Sequence, residues 1–349
     1  MKLLYKLAYI ILLLLVAFFF SCTKKDTPAP PKVVWQEFKG ITNESKIILN
    51  ATTDGEKLYC QGAYAVSIID SGLKARSFIV GRDIYYDMLP AHPKFFITPA
   101  ADKKSFGFYA YTMSDAGSAY VHVSETDPNL DCFEFTNQRK RYKVAINEEG
   151  QVLIPGRDKE GKYHFYLFTF RLGMSNTGVT IAARPLSVQK IAVPAMGTEP
   201  LEVHSIDNYF YALDYERSSL YKIDRAGTVT ATITPNWGGE LFKYGNALYQ
   251  VHGTTISIST DGGNTFTPRY RAGDDIRSYF RVVNGKILVF HPYSGIGLCE
   301  FTPEGFTIKA LDMEGLHGNH LTALAYFRGN LYAATLTGLY YKKWEDALK

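Results

Sequence analysis

The sequence predicts an all-β chain folded as a seven-bladed β-propeller and closed by an N-terminal strand (residues 33–39) that completes the last blade. Three observations carry this reading. A turn-and-strand unit recurs seven times; its copies lie about 45 residues apart; and the last copy reaches Lys349 one strand short of a full unit. A four-stranded blade needs about 40–50 residues, so the spacing matches. Tyr (25) and Phe (22) are abundant and long helical patterns are absent. Both facts favour strands, because aromatic side chains pack well on a pleated surface.

The first 21 residues read as an export segment. Lys2 and Lys6 give a basic start, and Leu7 to Phe20 is an unbroken apolar run ending at Ser21 and Cys22. A run of about 14 residues spans only about 21 Å as a helix, short of the roughly 30 Å hydrocarbon core, which suits a cleaved signal better than a permanent span. The small residue before Cys22 resembles the lipobox of bacterial lipoproteins, with Phe19 and Phe20 in place of the usual Leu-Ala-like residues. The resemblance implies cleavage before Cys22 and acylation of its sulfur; the alternative is an ordinary secretory peptide with Cys22 as a spare thiol. Residues 22–32 then form a polar tether with Pro28, Pro30 and Pro31, a composition that cannot bury a core. In Gram-negative lipoproteins an Asp after the lipidated cysteine often marks the inner membrane. Here that position is Thr23, so the resemblance implies the outer membrane, and Lys24-Lys25-Asp26 resembles a surface-export signal.

Residues 33–349 are assigned to the propeller. Val33-Val34-Trp35-Gln36-Glu37-Phe38 alternates as a strand and precedes the first blade at Ile47. The turn-and-strand starts follow: Asp54-Gly55 before Leu58-Tyr59, Asp102 to Lys104 before Phe108-Tyr109, Glu149-Gly150 before Val152-Leu153, and Asp207-Asn208 before Phe210-Tyr211. Gly245-Asn246 before Leu248-Tyr249, Asn284-Gly285 before Ile287-Leu288 and Gly329-Asn330 before Leu331-Tyr332 complete the set. Such turns join antiparallel strands directly. In the last copy Leu321–Tyr326, Leu331–Thr335 and Gly338–Lys343 are three strands with no chain left for a fourth. An open seam would leave strand-edge groups unpaired, and the N-terminal segment is the available partner. A pair of β-sandwiches with accidental periodicity is the competing architecture.

Charge and cysteine content narrow the function. Loss of residues 1–21 removes two lysines, so the formal net charge of +4 falls to +2. With no basic stripe, nucleic acid is not an expected partner. Cys60, Cys132 and Cys299 are an odd, widely spaced set, which is no disulfide framework and allows one bridge at most. His317 and His320 are spaced His-x-x-His in a Gly-rich segment without a nearby third ligand. No metal and no cofactor are expected, and the chain is read as a monomer.

The fifth copy contains Ser259-Thr260-Asp261-Gly262-Gly263-Asn264-Thr265-Phe266. This is similar to the Asp-box, Ser-x-Asp-x-Gly-x-Thr-Trp, of sialidases and related propellers, with Phe266 at the Trp position. The expected physics is a closed hairpin turn: Ser259 and Asp261 bond turn backbone, Gly263 supplies φ > 0, and Phe266 packs beneath. The resemblance places it opposite the active site, as a structural device. Leu321–Ala325 with Gly329–Tyr332 and Thr337–Tyr340 resembles sensor-type propeller repeats. A sialidase would also show a Phe/Tyr-Arg-Ile-Pro motif early in the chain; the nearest string, Tyr279-Phe280-Arg281-Val282, lies in the sixth copy and lacks the proline.

In a propeller, second-to-third-strand connections and blade-to-blade connections share one face, where binding sites gather. Read off the repeats, that face carries Tyr111 to Ser118, Arg157, Asp158, Asp214, Tyr215, Glu216, Arg217, His252, His291 and Tyr293. Tyr215 and Tyr293 suit stacking, and Arg157 and Arg217 suit carboxylate or hydroxyl binding. The same residues could simply be solvated loop groups. The expected function is a membrane-anchored binding or interaction module for a glycan or a protein partner. The alternative is a glycoside hydrolase with a carboxylate pair drawn from Asp158, Asp214 and Glu216.

Overall fold

Short apolar-alternating segments separated by turns that place residues at φ > 0 can only form tight antiparallel hairpins, and these hairpins build the molecule. Asp207 and Asn208 (φ 51° and 65°), Asn284 and Gly285 (46° and 71°), and Arg328 and Gly329 (47° and 78°) each place two consecutive residues in the left-handed region. That is the backbone of the two-residue turn whose twist matches flanking strands.

The computed structural model describes residues 32–41, 46–62, 65–79, 91–92, 95–102, 105–112, 118–122, 145–147, 149–157, 163–174, 180–196, 202–214, 219–233, 240–272, 278–293, 295–316 and 318–349. Among them, seven four-stranded antiparallel sheets follow one another along the chain. The first is Ile48–Thr53, Leu58–Gly62, Ala65–Ile69 and Ala75–Ile79; the second is Ala91–His92, Phe95–Asp102, Ser105–Thr112 and Ser118–His122. The third is Ala145–Ile146, Gln151–Arg157, Tyr163–Met174 and Thr180–Met196; the fourth is Glu202–Ile206, Tyr209–Asp214, Ser219–Ile223 and Val229–Ile233. The fifth is Glu240–Tyr244, Ala247–His252, Thr255–Ser259 and Thr267–Arg271; the sixth is Tyr279–Val283, Lys286–His291, Gly295–Phe301 and Phe306–Ala310. The last comprises Leu321–Phe327, Asn330–Thr335, Gly338–Lys343 and, from the other end of the chain, Gln36–Glu37.

Six of these sheets are described as packed blades, against the seven that the repeat predicts; for the second, strand pairing alone is described. That second sheet also departs from the expected phase. Its Asp102–Ser105 turn joins the second strand to the third, where the repeat predicts a first-to-second turn. The segment Tyr111 to Ser118, expected as a second-to-third connection, therefore joins the third strand to the fourth. Turn chemistry marks a hairpin without saying which hairpin of the blade it is.

Apolar clusters lie between consecutive sheets. Leu153, Phe165 and Ile191 of the third pack on Phe210 and Tyr221 of the fourth; Tyr211 and Leu220 of the fourth on Leu241 and Leu248 of the fifth. Val251 and Ile256 of the fifth pack on Phe280 and Val289 of the sixth, and Leu288 and Phe290 of the sixth on Leu324 and Leu331 of the last. Phe327 and Tyr332 of the last sheet then pack on Ile48, Leu58 and Ile69 of the first. Each fully buried side chain of this size contributes about 1.5–3 kcal/mol, so every such seam is held by several large terms. Face-to-face packing of successive sheets, with the last on the first, is propeller architecture within the compact unit Val34–Lys349.

The N-terminal strand is shorter than residues 33–39. Its ladder is Gln36 opposite Tyr341 and Glu37 opposite Tyr340, extended by the Phe38 amide donating to the Leu339 carbonyl at 2.7 Å. Trp35 leaves the ladder because its buried ring joins the apolar cluster between the sixth and last sheets, and its amide donates to the Glu314 carbonyl instead. Beyond the third strand of the last sheet the chain forms a short helix, Trp344–Ala347, which sequence reading missed; Ala347 is buried in the same cluster.

Candidate functional site

Antiparallel order puts the last residue of each second strand at one end of its sheet, beside the turn to the third strand. Arg157 pairs with Tyr163 in the third sheet, Asp214 with Ser219 in the fourth, His252 with Thr255 in the fifth and His291 with Gly295 in the sixth. Four residues expected on one face thus occupy equivalent register positions in four successive sheets. For Arg157 and Asp214 the structure describes the backbone position alone. Asp158, Tyr215, Glu216, Arg217 and His317, together with Cys22 and Cys132, lie outside the described residues.

The described part of that face is built around Tyr293, whose residue surface is 80% exposed. The His291-Pro292-Tyr293 turn is pinned in place: the Tyr293 amide donates to His291 Nδ1 at 3.2 Å, and the Leu321 amide donates to the Pro292 carbonyl at 3.0 Å. The His320 ring meets the Tyr293 ring edge-on, at 4.6 Å between centroids and 89° between planes. His291 lies 6.0 Å away at 54°. His320 is held in turn, its carbonyl accepting the Leu336 amide at 3.2 Å, and the neighbouring Asn319 Oδ1 accepts the Thr337 hydroxyl. A large exposed ring therefore rests against His320, in a turn whose backbone is bonded to His291. Sequence reading treated His320 only as half of an accidental metal motif. Its position in a connection entering an innermost strand, on the face of the second-to-third turns, was the signal available.

A second feature missed from sequence joins the innermost strands of the fifth and sixth sheets. Arg281 Nη1 donates to Glu240 Oε2 at 2.7 Å and to the Phe280 carbonyl at 2.7 Å, with the guanidinium 5.8 Å from the centre of the Tyr279 ring. The Arg281 of the string compared with the sialidase motif is thus engaged in an inter-sheet ion pair. Among the described residues no group of three or more His, Cys, Asp or Glu is arranged to hold a metal ion.

Ser259–Phe266 lies at the opposite end, between the third and fourth strands of the fifth sheet. Asp261 Oδ1 accepts the Ser259 hydroxyl at 2.7 Å, the Asn264 amide at 3.0 Å and the Thr265 amide at 3.0 Å; Oδ2 accepts the Thr265 hydroxyl at 2.6 Å. Ser259 Oγ also accepts the Gly263 amide at 2.8 Å. The Thr265 hydroxyl and amide, then the Ser259 hydroxyl, hold the Asp261 carboxyl well below the usual carboxylate range. Gly262 and Gly263 have φ of 71° and 84°, and Phe266 packs against the cluster shared with the fourth sheet. The turn is also docked there: the Tyr211 hydroxyl donates to the Gly262 carbonyl at 3.0 Å, and Lys222 Nζ to Asn264 Oδ1 at 3.0 Å.

Two simpler relatives occupy the same position in other sheets. Asp70 Oδ1 accepts the amides of Gly72 and Lys74 at 2.8 and 2.9 Å, and Asp224 Oδ1 those of Ala226 and Thr228 at 2.9 and 2.8 Å. Sequence reading overlooked both, because an Asp with a glycine two or three residues on is common in any loop. All three carboxylates are consumed in closing turns.

No protein-family model matches the chain, and no curated protein matches it. Among solved structures it is similar to a streptogramin B lyase at 13% identity and a TM-score of 0.57, covering 88% of this chain and 96% of that one. It is similar also to a catalytically inactive variant of virginiamycin B lyase from Staphylococcus aureus with quinupristin, at 11% identity and a TM-score of 0.54, covering 89% and 98%. A chain of a mitotic checkpoint complex matches at 10% identity and a TM-score of 0.56, covering 92% and 96%. At such identities what is shared is the fold, and the class is an all-β propeller. One fold serving lyases and an assembly subunit leaves function to the site.

Proposed function

We propose that the chain is an exported lipoprotein, acylated at Cys22 and held on the outer membrane, whose seven-bladed propeller presents a recognition face to a glycan or a partner protein. The observation that carries the recognition reading is Tyr293: a large ring exposed to solvent yet supported by His320, in a turn pinned by His291. Ordering a flexible side chain on binding costs about 0.5–1.5 kcal/mol, and a ring already held by its neighbours avoids most of that. Arg157, Asp214, His252 and His291, residue types able to bond polar ligands, hold equivalent register positions beside that face. The Asp-box reading of Ser259–Phe266 assigns the other end to structure.

The test uses the intact protein in detergent, probed on a glycan array and, in cells, by photo-crosslinking from a photoreactive residue at position 293. Saturable binding to a glycan, or one discrete protein adduct, is expected. Absence of both glycan binding and an adduct would overturn the recognition reading.

A further inference from the structure

We propose that Tyr293 is the stacking platform of a subsite for an uncharged pyranose sugar. The proposal rests on the recognition-face reading above and assigns a ligand chemistry to it.

Three observations point to a sugar. The first is size. In the described second-to-third turns the exposed large apolar side chains are Tyr293, at 80%, and Leu336, at 38%. Stable protein interfaces bury about 800 Å² per partner around an apolar centre, which these two described side chains do not supply. A single ring is about the area of one pyranose face, whose axial C–H groups are its apolar surface.

The second is orientation. The backbone bond from Tyr293 to His291 fixes the turn, and the edge-on contact with His320 at 4.6 Å gives the ring a preferred direction. A stacking ligand needs a platform of fixed direction; an unsupported Tyr would sweep through rotamers.

The third is the polar surround. Two imidazoles adjoin the ring, and Asn319, next in the chain to His320, brings an amide bonded to the Thr337 hydroxyl. That bond orients the amide and leaves its Nδ2 donors without a hydrogen-bond partner among the described residues. Amide, hydroxyl and imidazole each both donate and accept, as sugar hydroxyls do. Every side chain named in this cluster is an imidazole or an uncharged group, which suits an uncharged sugar.

One platform and a few hydrogen bonds support weak binding. At the efficiency of ordinary ligands, a ring of about a dozen heavy atoms reaches a dissociation constant on the order of 1 mM. Dense display of the sugar raises the apparent affinity by avidity.

The experiment measures binding of methyl glycosides of glucose, galactose, mannose and N-acetylglucosamine to the intact protein in detergent, by saturation-transfer NMR, beside a dense glycan array. Wild type is expected to bind at least one neutral sugar, Tyr293→Ala to weaken it at least tenfold with unchanged thermal melting, and Tyr293→Trp to retain it. Neutral-sugar binding undiminished by Tyr293→Ala would overturn the platform and leave the recognition face standing. Binding confined to anionic sugars would overturn the neutral class. No sugar binding together with a discrete protein adduct from position 293 would overturn the subsite while supporting a protein-recognising face.

Discussion

The Trp35 indole Nε1 donates to the Asp312 carbonyl at 3.0 Å, across 277 residues of chain. This bond sits where the two ends of the propeller meet. With the Trp35 amide bonded to Glu314, it secures a closing strand whose ladder is two residues long.

Trp35→Ala is expected to destabilise the protein by about 3–5 kcal/mol, since the ring is buried among the sixth and last sheets. Melting should fall by roughly 5–10 °C. Trp35→Phe keeps most of the bulk but removes the indole donor to the Asp312 carbonyl, a loss of about 1–2 kcal/mol. Gly315→Ala should be as harmful as the alanine variant of Trp35: its φ is 90°, and an added Cβ would collide with the Trp35 carbonyl oxygen. Thermal denaturation of the three variants checks the order.

Gly263 tests the docking of the fifth sheet on the fourth. A Cβ there would lie 2.6 Å from the Tyr211 hydroxyl and 2.8 Å from Leu248 Cδ1, at φ 84°. Gly263→Ala should cost about 1–3 kcal/mol. Tyr211→Phe removes the obstructing oxygen along with its bond to Gly262, so the double variant should lose less than the sum of the singles. Equilibrium denaturation of the full cycle measures the coupling.

Asp261 makes a pH prediction. Its folded pKa is depressed, chiefly by the Thr265 hydroxyl and amide, so its contribution to stability is fully present above the unfolded value of about 3.9 and is lost as pH falls through the lower folded value. Asp261→Asn should melt below wild type at pH 7, and the gap should narrow steadily below about pH 4. A gap that stays constant down to pH 2 would show that the charge contributes nothing.

The thiols of Cys60 and Cys299 are both pushed up to about 12, in each case first by burial. Neither should be alkylated by iodoacetamide at pH 8 in the folded protein, and both should be in denaturant, because the thiolate is the reacting form. Peptide mass spectrometry of the two samples reads this directly.

The lipid proposal predicts incorporation of a labelled fatty acid into the protein in cells, lost in Cys22→Ser. Fatty-acid label retained by that variant would place the anchor elsewhere.

What could be read before any coordinates were those features whose physics is local. Asn208 and Gly285 announce hairpins because they tolerate φ > 0, and the Ser259–Phe266 turn is legible because all its bonding partners lie within a few residues of Asp261. Even the closing strand was foreseeable, since a missing fourth strand and a spare N-terminal one imply each other. Local signals failed where two hairpins look alike, as in the second sheet. They failed also for the helix Trp344–Ala347, four residues long and too short to show a period.

The candidate site divides along the same line. The sequence placed Arg157, Asp214, His252 and His291 in second-to-third connections, because turn residues and alternation are written in residue types; the structure puts each one at the last register position of its second strand. Only the tertiary structure decided that His320 supports Tyr293, that Arg281 pairs with Glu240 of the neighbouring sheet, and that Trp35 leaves its strand to lie against Gly315. These contacts join segments that meet only when successive sheets pack face to face. Their energy depends on distance and angle in the assembled ring, which no stretch of sequence encodes by itself.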